Sequence, residues 1–169
     1  QRTLSGLSGS AALWWLACRL AAGAHPRPLL IAVAEREAVA PAEAALRLYL
    51  TALGSSVPVA SLPADDVRAW DGLSPHPDLP RQRLGALELA RRGAPAAILC
   101  SARSLLQRQL SAEALQRLVL ELKAGDEPGR KGLLEALVRR GYTLREQAPE
   151  PGTVSLKGGV MDIWPIGPQ

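Results

Sequence analysis

Residues 6–13 read Gly6-Leu7-Ser8-Gly9-Ser10-Ala11-Ala12-Leu13. They keep the frame of a phosphate-binding loop and lack its chemistry. A working loop is G-x-x-x-x-G-K-[ST]: its second glycine lets backbone N–H groups wrap the phosphates, its lysine reaches the β and γ oxygens, and its hydroxyl holds Mg²⁺. Here the frame starts at Gly6 and has another glycine at Gly9, but Ala11, Ala12 and Leu13 fill the three working positions. Alanine cannot neutralise a triphosphate, and leucine cannot ligate a hard cation. In a nucleotide-binding fold, this loop means that the fold is kept and the ATPase lost. Taken alone, the same residues also read as an ordinary helix start with serine as N-cap.

The chain beyond the loop alternates. Alanine and leucine predict a helix over Ser10–Gly23, closed by the glycine. Leu29–Ala34 is short and wholly apolar, as in a buried parallel strand. A helix over Glu37–Leu53 stops at Gly54, and Val57–Leu62 is a second strand. Pro63–Pro80 is polar and proline-rich and reads as a long loop, a kind that is usually functional or partner-facing. Arg81–Arg92 follows as a helix, Ala96–Cys100 as a third buried strand and Ser104–Gln109 as a short helix. This rhythm implies an α/β fold with a parallel sheet and right-handed crossovers.

The rhythm changes near residue 116. Arg117–Lys123 alternates with period two and predicts a strand with one wet face. A turn at Gly125–Gly129 precedes an amphipathic helix over Lys131–Arg140, then strands at Tyr142–Gln147, Val154–Leu156 and Val160–Trp164. The expectation is two domains, residues 1–115 and residues 116–169, the second small and α+β.

Composition narrows the function. A hydrophobic fraction of 47% is that of a globular chain. There is no Phe, so few flat faces are offered for stacking bases. Net charge is +4, from 17 Arg and 3 Lys against 16 acids. The tightest basic groups are Arg81/Arg83, Arg91-Arg92 and Arg139-Arg140. The two adjacent pairs sit at helix C-terminal ends, where cations suit the helix dipole, so the basic pI of 9.6 permits nucleic-acid binding without establishing it. Cys18 and Cys100 lie apart in apolar runs and read as buried free thiols of a reducing cytoplasm, with no spacing that suits zinc. The longest apolar stretch, Ala11–Ala24, contains Arg19 and is too short to span a bilayer. With no initiator Met, and an end at Ile166-Gly167-Pro168-Gln169 just after a strand-like run, the chain reads as part of a longer protein cut inside its second domain.

In this succession the chain resembles the UvrB-homology region at the N-terminus of the bacterial transcription-repair coupling factors, the Mfd family. Four stretches carry the likeness: Gly6–Leu13; Leu73-Ser74-Pro75-His76-Pro77-Asp78 with Arg83-Leu84; Ser104-Leu105-Leu106-Gln107-Arg108; and Leu134–Pro165. The last is the most specific. Gly141-Tyr142, Glu146-Gln147, Pro151-Gly152 and Lys157-Gly158-Gly159-Val160-Met161-Asp162-Ile163-Trp164-Pro165 follow the pattern "GY…DQV…PGE…RGG-hydrophobic-D-I-F-P". The chain departs from it at Lys157, where Arg is usual, and at Trp164, where Phe is usual. UvrB is similar in layout but keeps an intact phosphate loop, so Ala11, Ala12 and Leu13 favour the coupling factors.

The resemblance implies a helicase-like domain 1a with a non-functional loop at Gly6, Gly9, Ala11, Ala12 and Leu13, followed by a UvrA-interaction domain. It implies a cytoplasmic, catalytically silent adaptor that recruits UvrA through Lys157, Gly158 and Gly159, with no cofactor of its own. ATP and Mg²⁺ would belong to a motor elsewhere in such a protein, and RNA polymerase and DNA to regions outside this chain. The adaptor would also pack on other domains of the parent. The alternative is a UvrB-like module that binds damaged DNA. The Pro63–Pro80 loop has one aromatic, Trp70, and carries Asp65, Asp66, Asp71 and Asp78 against Arg68, so phosphates would repel it. Three further features read as structural. His76 with Asp78 lacks a second metal ligand, since His25 is far off. Trp14-Trp15 on an apolar helix reads as packing. Asp162 lacks a partner acid and reads as a turn or cross-domain hydrogen bond.

Overall fold

The computed structural model describes residues 3–67, 70, 72, 76 and 78–166. Leu73, Ser74, Pro75 and Pro77 of the expected loop motif, together with Arg68, Asp71 and the last three residues, lie outside them. The chain forms two compact units, Gln1–Leu110 and Ser111–Gln169.

In the first unit, β1 (Leu29–Val33), β2 (Val59–Leu62) and β3 (Ala97–Ser101) make a parallel sheet in the order β1-β3-β2. The central strand is the one buried along its whole length. Its side chains alternate. Ala97 and Leu99 join a core with Ala17 and Leu20 of α1 (Ala11–Ala21) and with Ala42, Leu46 and Leu50 of α2 (Val39–Ala52). Ile98 and Cys100 pack instead with Leu62 and with Ala86 of α3 (Asp78–Arg92). Helices therefore cover both faces, which is why the apolar runs of β2 and β3 are nearly continuous. Burial pushes the Cys100 thiol above its ordinary pKa.

Several boundaries differ from the sequence reading. α3 starts at Asp78, three residues before Arg81, because its first turn accepts both an aspartate near the N–H groups and Pro80, whose missing donor is not needed there. α4 (Ala102–Leu106) also starts early: Ser101 accepts from the Ser104 amide while the Ser104 hydroxyl receives the Ser101 amide, a reciprocal cap that sets the helix start.

The second unit holds α5 (Ala112–Leu118), α6 (Arg130–Arg139) and a sheet of β4 (Thr143–Arg145), β5 (Thr153–Lys157) and β6 (Val160–Trp164). β4 pairs parallel and β6 antiparallel to β5. The expected strand over Arg117–Lys123 is corrected here: 117–118 end α5 and 119–123 belong to no strand. Ser111 caps α5 through the Ala114 amide, and its own helix-forming residues outweigh the period-two pattern. The Glu113 carboxyl is held below its ordinary pKa by its own backbone amide and by the Ser111 hydroxyl. Leu137 and Val154 are the buried apolar residues of α6 and β5.

Candidate functional site

β5 and β6 form a hairpin closed by Gly158-Gly159, with Lys157 opposite Val160 at its tip. Gly158 has φ +56°, a conformation that side chains resist. Gly159 has ordinary φ, and open space surrounds the position of a Cβ there. Lys157, the last residue of β5, is exposed. Thr153, Val154 and Ser155 root the strand in the interior. At the far end, the Gly152 amide donates to the Trp164 carbonyl at 2.9 Å and the Ile166 amide to the Tyr142 hydroxyl at 3.1 Å. At the tip, Arg130 Nη1 donates to the Gly158 carbonyl at 2.9 Å, tying the turn to the first residue of α6. Between α6 and the hairpin lies an open groove of about 220 Å³.

Residues 120–169, which contain α6 and this hairpin, match the UvrB interaction domain family. Over 146 residues the chain is 34% identical to the transcription-repair-coupling factor of Myxococcus xanthus, an alignment covering 84% of this chain and 12% of that protein. Over 113 residues it is 30% identical to the transcription-repair-coupling factor of Haemophilus influenzae, covering 67% of this chain and 10% of that protein. This chain is a relative of the transcription-repair coupling factors. It spans about a tenth of their length.

The coupling-factor relative carries Gly6 and Gly9 at φ +80° and +55°, so both glycines are needed by the backbone. Residues 3–10 contain no strand before α1, and the Ala11 amide donates to the Ser8 carbonyl at 3.1 Å. Ser10 precedes α1 without capping it through its side chain; its Oγ instead accepts from the Tyr49 hydroxyl at 2.7 Å. Ala12 is exposed and Leu13 packs against the core of the first unit.

The other singled-out residues find structural partners. Trp14 meets Tyr49 edge-on at 5.3 Å, and the Arg19 guanidinium lies 5.2 Å from the centre of the Trp15 ring. Both indoles stay partly exposed, at 43% and 37%, so packing absorbs only part of each. His76 Nδ1 accepts from the Asp78 amide at 3.3 Å. Asp162 faces Ser155 across the hairpin and accepts from its hydroxyl at 3.4 Å, a cross-strand bond within one sheet. Among the described residues, no group of three or more His, Cys, Asp and Glu could hold a metal ion, and no helix is long and apolar enough to cross a membrane.

Sequence reading missed Arg83 as a hub. Its guanidinium donates to Asp65 Oδ1, Gln107 Oε1, Gln109 Oε1 and the Arg108 carbonyl, joining the segment after β2 to the segment after α4. A signal was available, since Arg83 and Gln107 lie in two of the motif stretches, but nothing local pairs residues so far apart. Arg130 was missed for the same reason.

Proposed function

We propose that this chain is the UvrB-like adaptor of a transcription-repair coupling factor and recruits UvrA through the Lys157-Gly158-Gly159 hairpin. The observation that carries this reading is the UvrB interaction domain match, whose residues include an exposed, rigidly mounted hairpin with a cation at its tip. In this reading residues 1–115 form a domain 1a-like unit whose loop at Gly6–Leu13 holds no nucleotide, residues 116–169 form part of the interaction domain, and the chain works in the cytoplasm without catalysis. Lys157 presents a compact ammonium rather than a planar fork, so it recognises a carboxylate as a point charge. The affinity of purified UvrA for the whole chain tests this. Lys157→Glu should weaken binding at least tenfold, about 1.4 kcal/mol. Equal affinity for both chains would move the contact elsewhere, and no affinity for either, with both folded, would end the adaptor reading.

A further inference from the structure

The tip of the β5–β6 hairpin is held by a side chain that does not suit its own helix. Arg130 and Lys131 open α6, whose first turn contains no acid. Cations there oppose the helix dipole, which favours carboxylates at an N-terminus. The Arg130 guanidinium instead crosses to the hairpin, where Nη1 donates to the Gly158 carbonyl at 2.9 Å.

That carbonyl belongs to the peptide at the centre of the turn. Lys157 and Val160 form the closing pair, so Gly158 and Gly159 are a two-residue loop. Gly158 has a positive φ and Gly159 does not. Positive φ at the first central residue alone marks a type II′ turn, whereas a type I′ turn needs it at both. The two turns interconvert when the central peptide, with its Gly158 carbonyl and Gly159 N–H, turns over. Side chains normally decide between them, because most residues resist positive φ. With glycine at both positions no side chain decides. The hydrogen bond from Arg130 does, because it holds the carbonyl on the α6 side.

We propose that Arg130 is the positioning residue of the docking hairpin: it latches the central peptide of the Gly158-Gly159 turn in one orientation and so fixes how the tip presents Lys157 and the Gly159 amide. The proposal rests on the docking reading and adds what keeps that site in its binding form. A partner that fits one turn binds only the fraction of chains that have it, so apparent affinity falls with that fraction. The latch sets the fraction before the partner arrives.

The test measures UvrA affinity and the ¹⁵N relaxation of the Gly158 and Gly159 amides in the whole chain, unaltered and as Arg130→Met, with thermal melts as folding controls. Arg130 is exposed, so the fold should survive its loss. Arg130→Met should weaken UvrA binding about threefold or more. It should also lower the order parameter of the Gly159 amide from the ~0.85 of rigid backbone towards the ~0.6 of a flexible one. The same substitution in a Gly159→Ala chain is the decisive comparison. Alanine resists the positive φ that the type I′ turn requires there, and its Cβ meets no atom within 4 Å, so it holds the type II′ turn without the arginine. Removing Arg130 should then cost less than about twofold and leave the amides ordered. An equal loss of affinity in both backgrounds would make Arg130 a direct partner contact and overturn the latch. A tenfold loss with Lys157→Glu and none with Arg130→Met would overturn it too, while leaving the docking reading intact. Absence of UvrA binding by the unaltered chain would end the docking reading, and unchanged amide order in Arg130→Met would separately end the latch.

Discussion

Arg83→Met should destabilise the first unit by about 3 kcal/mol, summed over three hydrogen bonds at ~0.5–1.5 kcal/mol each and one partly screened ion pair at ~0–1 kcal/mol. The guanidinium is 14% exposed and the Asp65 carboxylate beside it 42%, so the ion pair belongs at the low end of its range. The neutral acceptors are Gln107 Oε1 at 2.8 Å, Gln109 Oε1 at 3.0 Å and the Arg108 carbonyl at 3.2 Å. A contact to the Pro63 carbonyl at 3.5 Å is at the limit of a hydrogen bond and adds little. Methionine keeps most of the aliphatic stem, so packing loss stays small. Urea unfolding of the whole chain, followed by circular dichroism, reads the effect. With a slope of about 1.5 kcal/mol per molar, within the usual range, the midpoint of the first unit should fall by about 2 M. Arg83→Lys should recover little, because one ammonium cannot reach both Asp65 and Gln109 as the fork does. A loss under about 1 kcal/mol for Arg83→Met, with an unchanged slope, would show that water replaces the arginine and that the hub does not hold these segments together.

Three further outcomes follow from the packing and charges. Leu46, 0% exposed against the β3 core, should lose about 3 kcal/mol as alanine, whereas Leu48, 65% exposed on the opposite face of α2, should lose under about 0.5 kcal/mol; equal losses by denaturant titration would contradict the core assignment. Gly158→Ala, forced to φ +56°, should lower stability by about 1–2 kcal/mol and Gly159→Ala by much less, which thermal melts of the two variants would show or disprove. Glu88 is held below its ordinary pKa chiefly by its hydrogen bond to Arg91 and also by Arg92, against an opposing effect of burial. Its contribution is therefore present above the ordinary carboxylate pKa of about 4.5 and fades as pH falls through the lowered value. Glu88→Gln should cost about 0.5–1 kcal/mol at neutral pH, two helix pairs' worth, and the gap to the unaltered chain should close as pH falls from the ordinary carboxylate value through the lowered one; a gap independent of pH would mean that the carboxylate charge is not what stabilises α3.

Local pattern carried much of the first unit. The apolar run at 96–100 became β3 because a central strand covered on both faces needs uninterrupted apolar residues, and the run at 29–34 became β1, an edge strand whose residues alternate between partly buried and exposed. Helix stops at Gly23 and Gly54 were visible too, since both glycines have positive φ. The same local logic failed at Arg117–Lys123. Leu118, Leu120 and Leu122 have strand spacing, but a strand exists only with a hydrogen-bonded neighbour, and none pairs with 119–123 among the described residues.

The sequence by itself determined the alternating class of the first unit, the sites of its turns and, through the run around Gly158-Gly159, the hairpin and the family. Each depends on residues a few positions apart, where side-chain chemistry and backbone dihedrals act directly. Tertiary structure alone decided the strand order β1-β3-β2, the joining of residues 65, 83 and 107–109 by one guanidinium, and the reach of Arg130 across 28 positions to the Gly158 carbonyl. Those contacts are selected by how packed elements meet in space, and no local pattern encodes which distant carbonyl a given arginine will find.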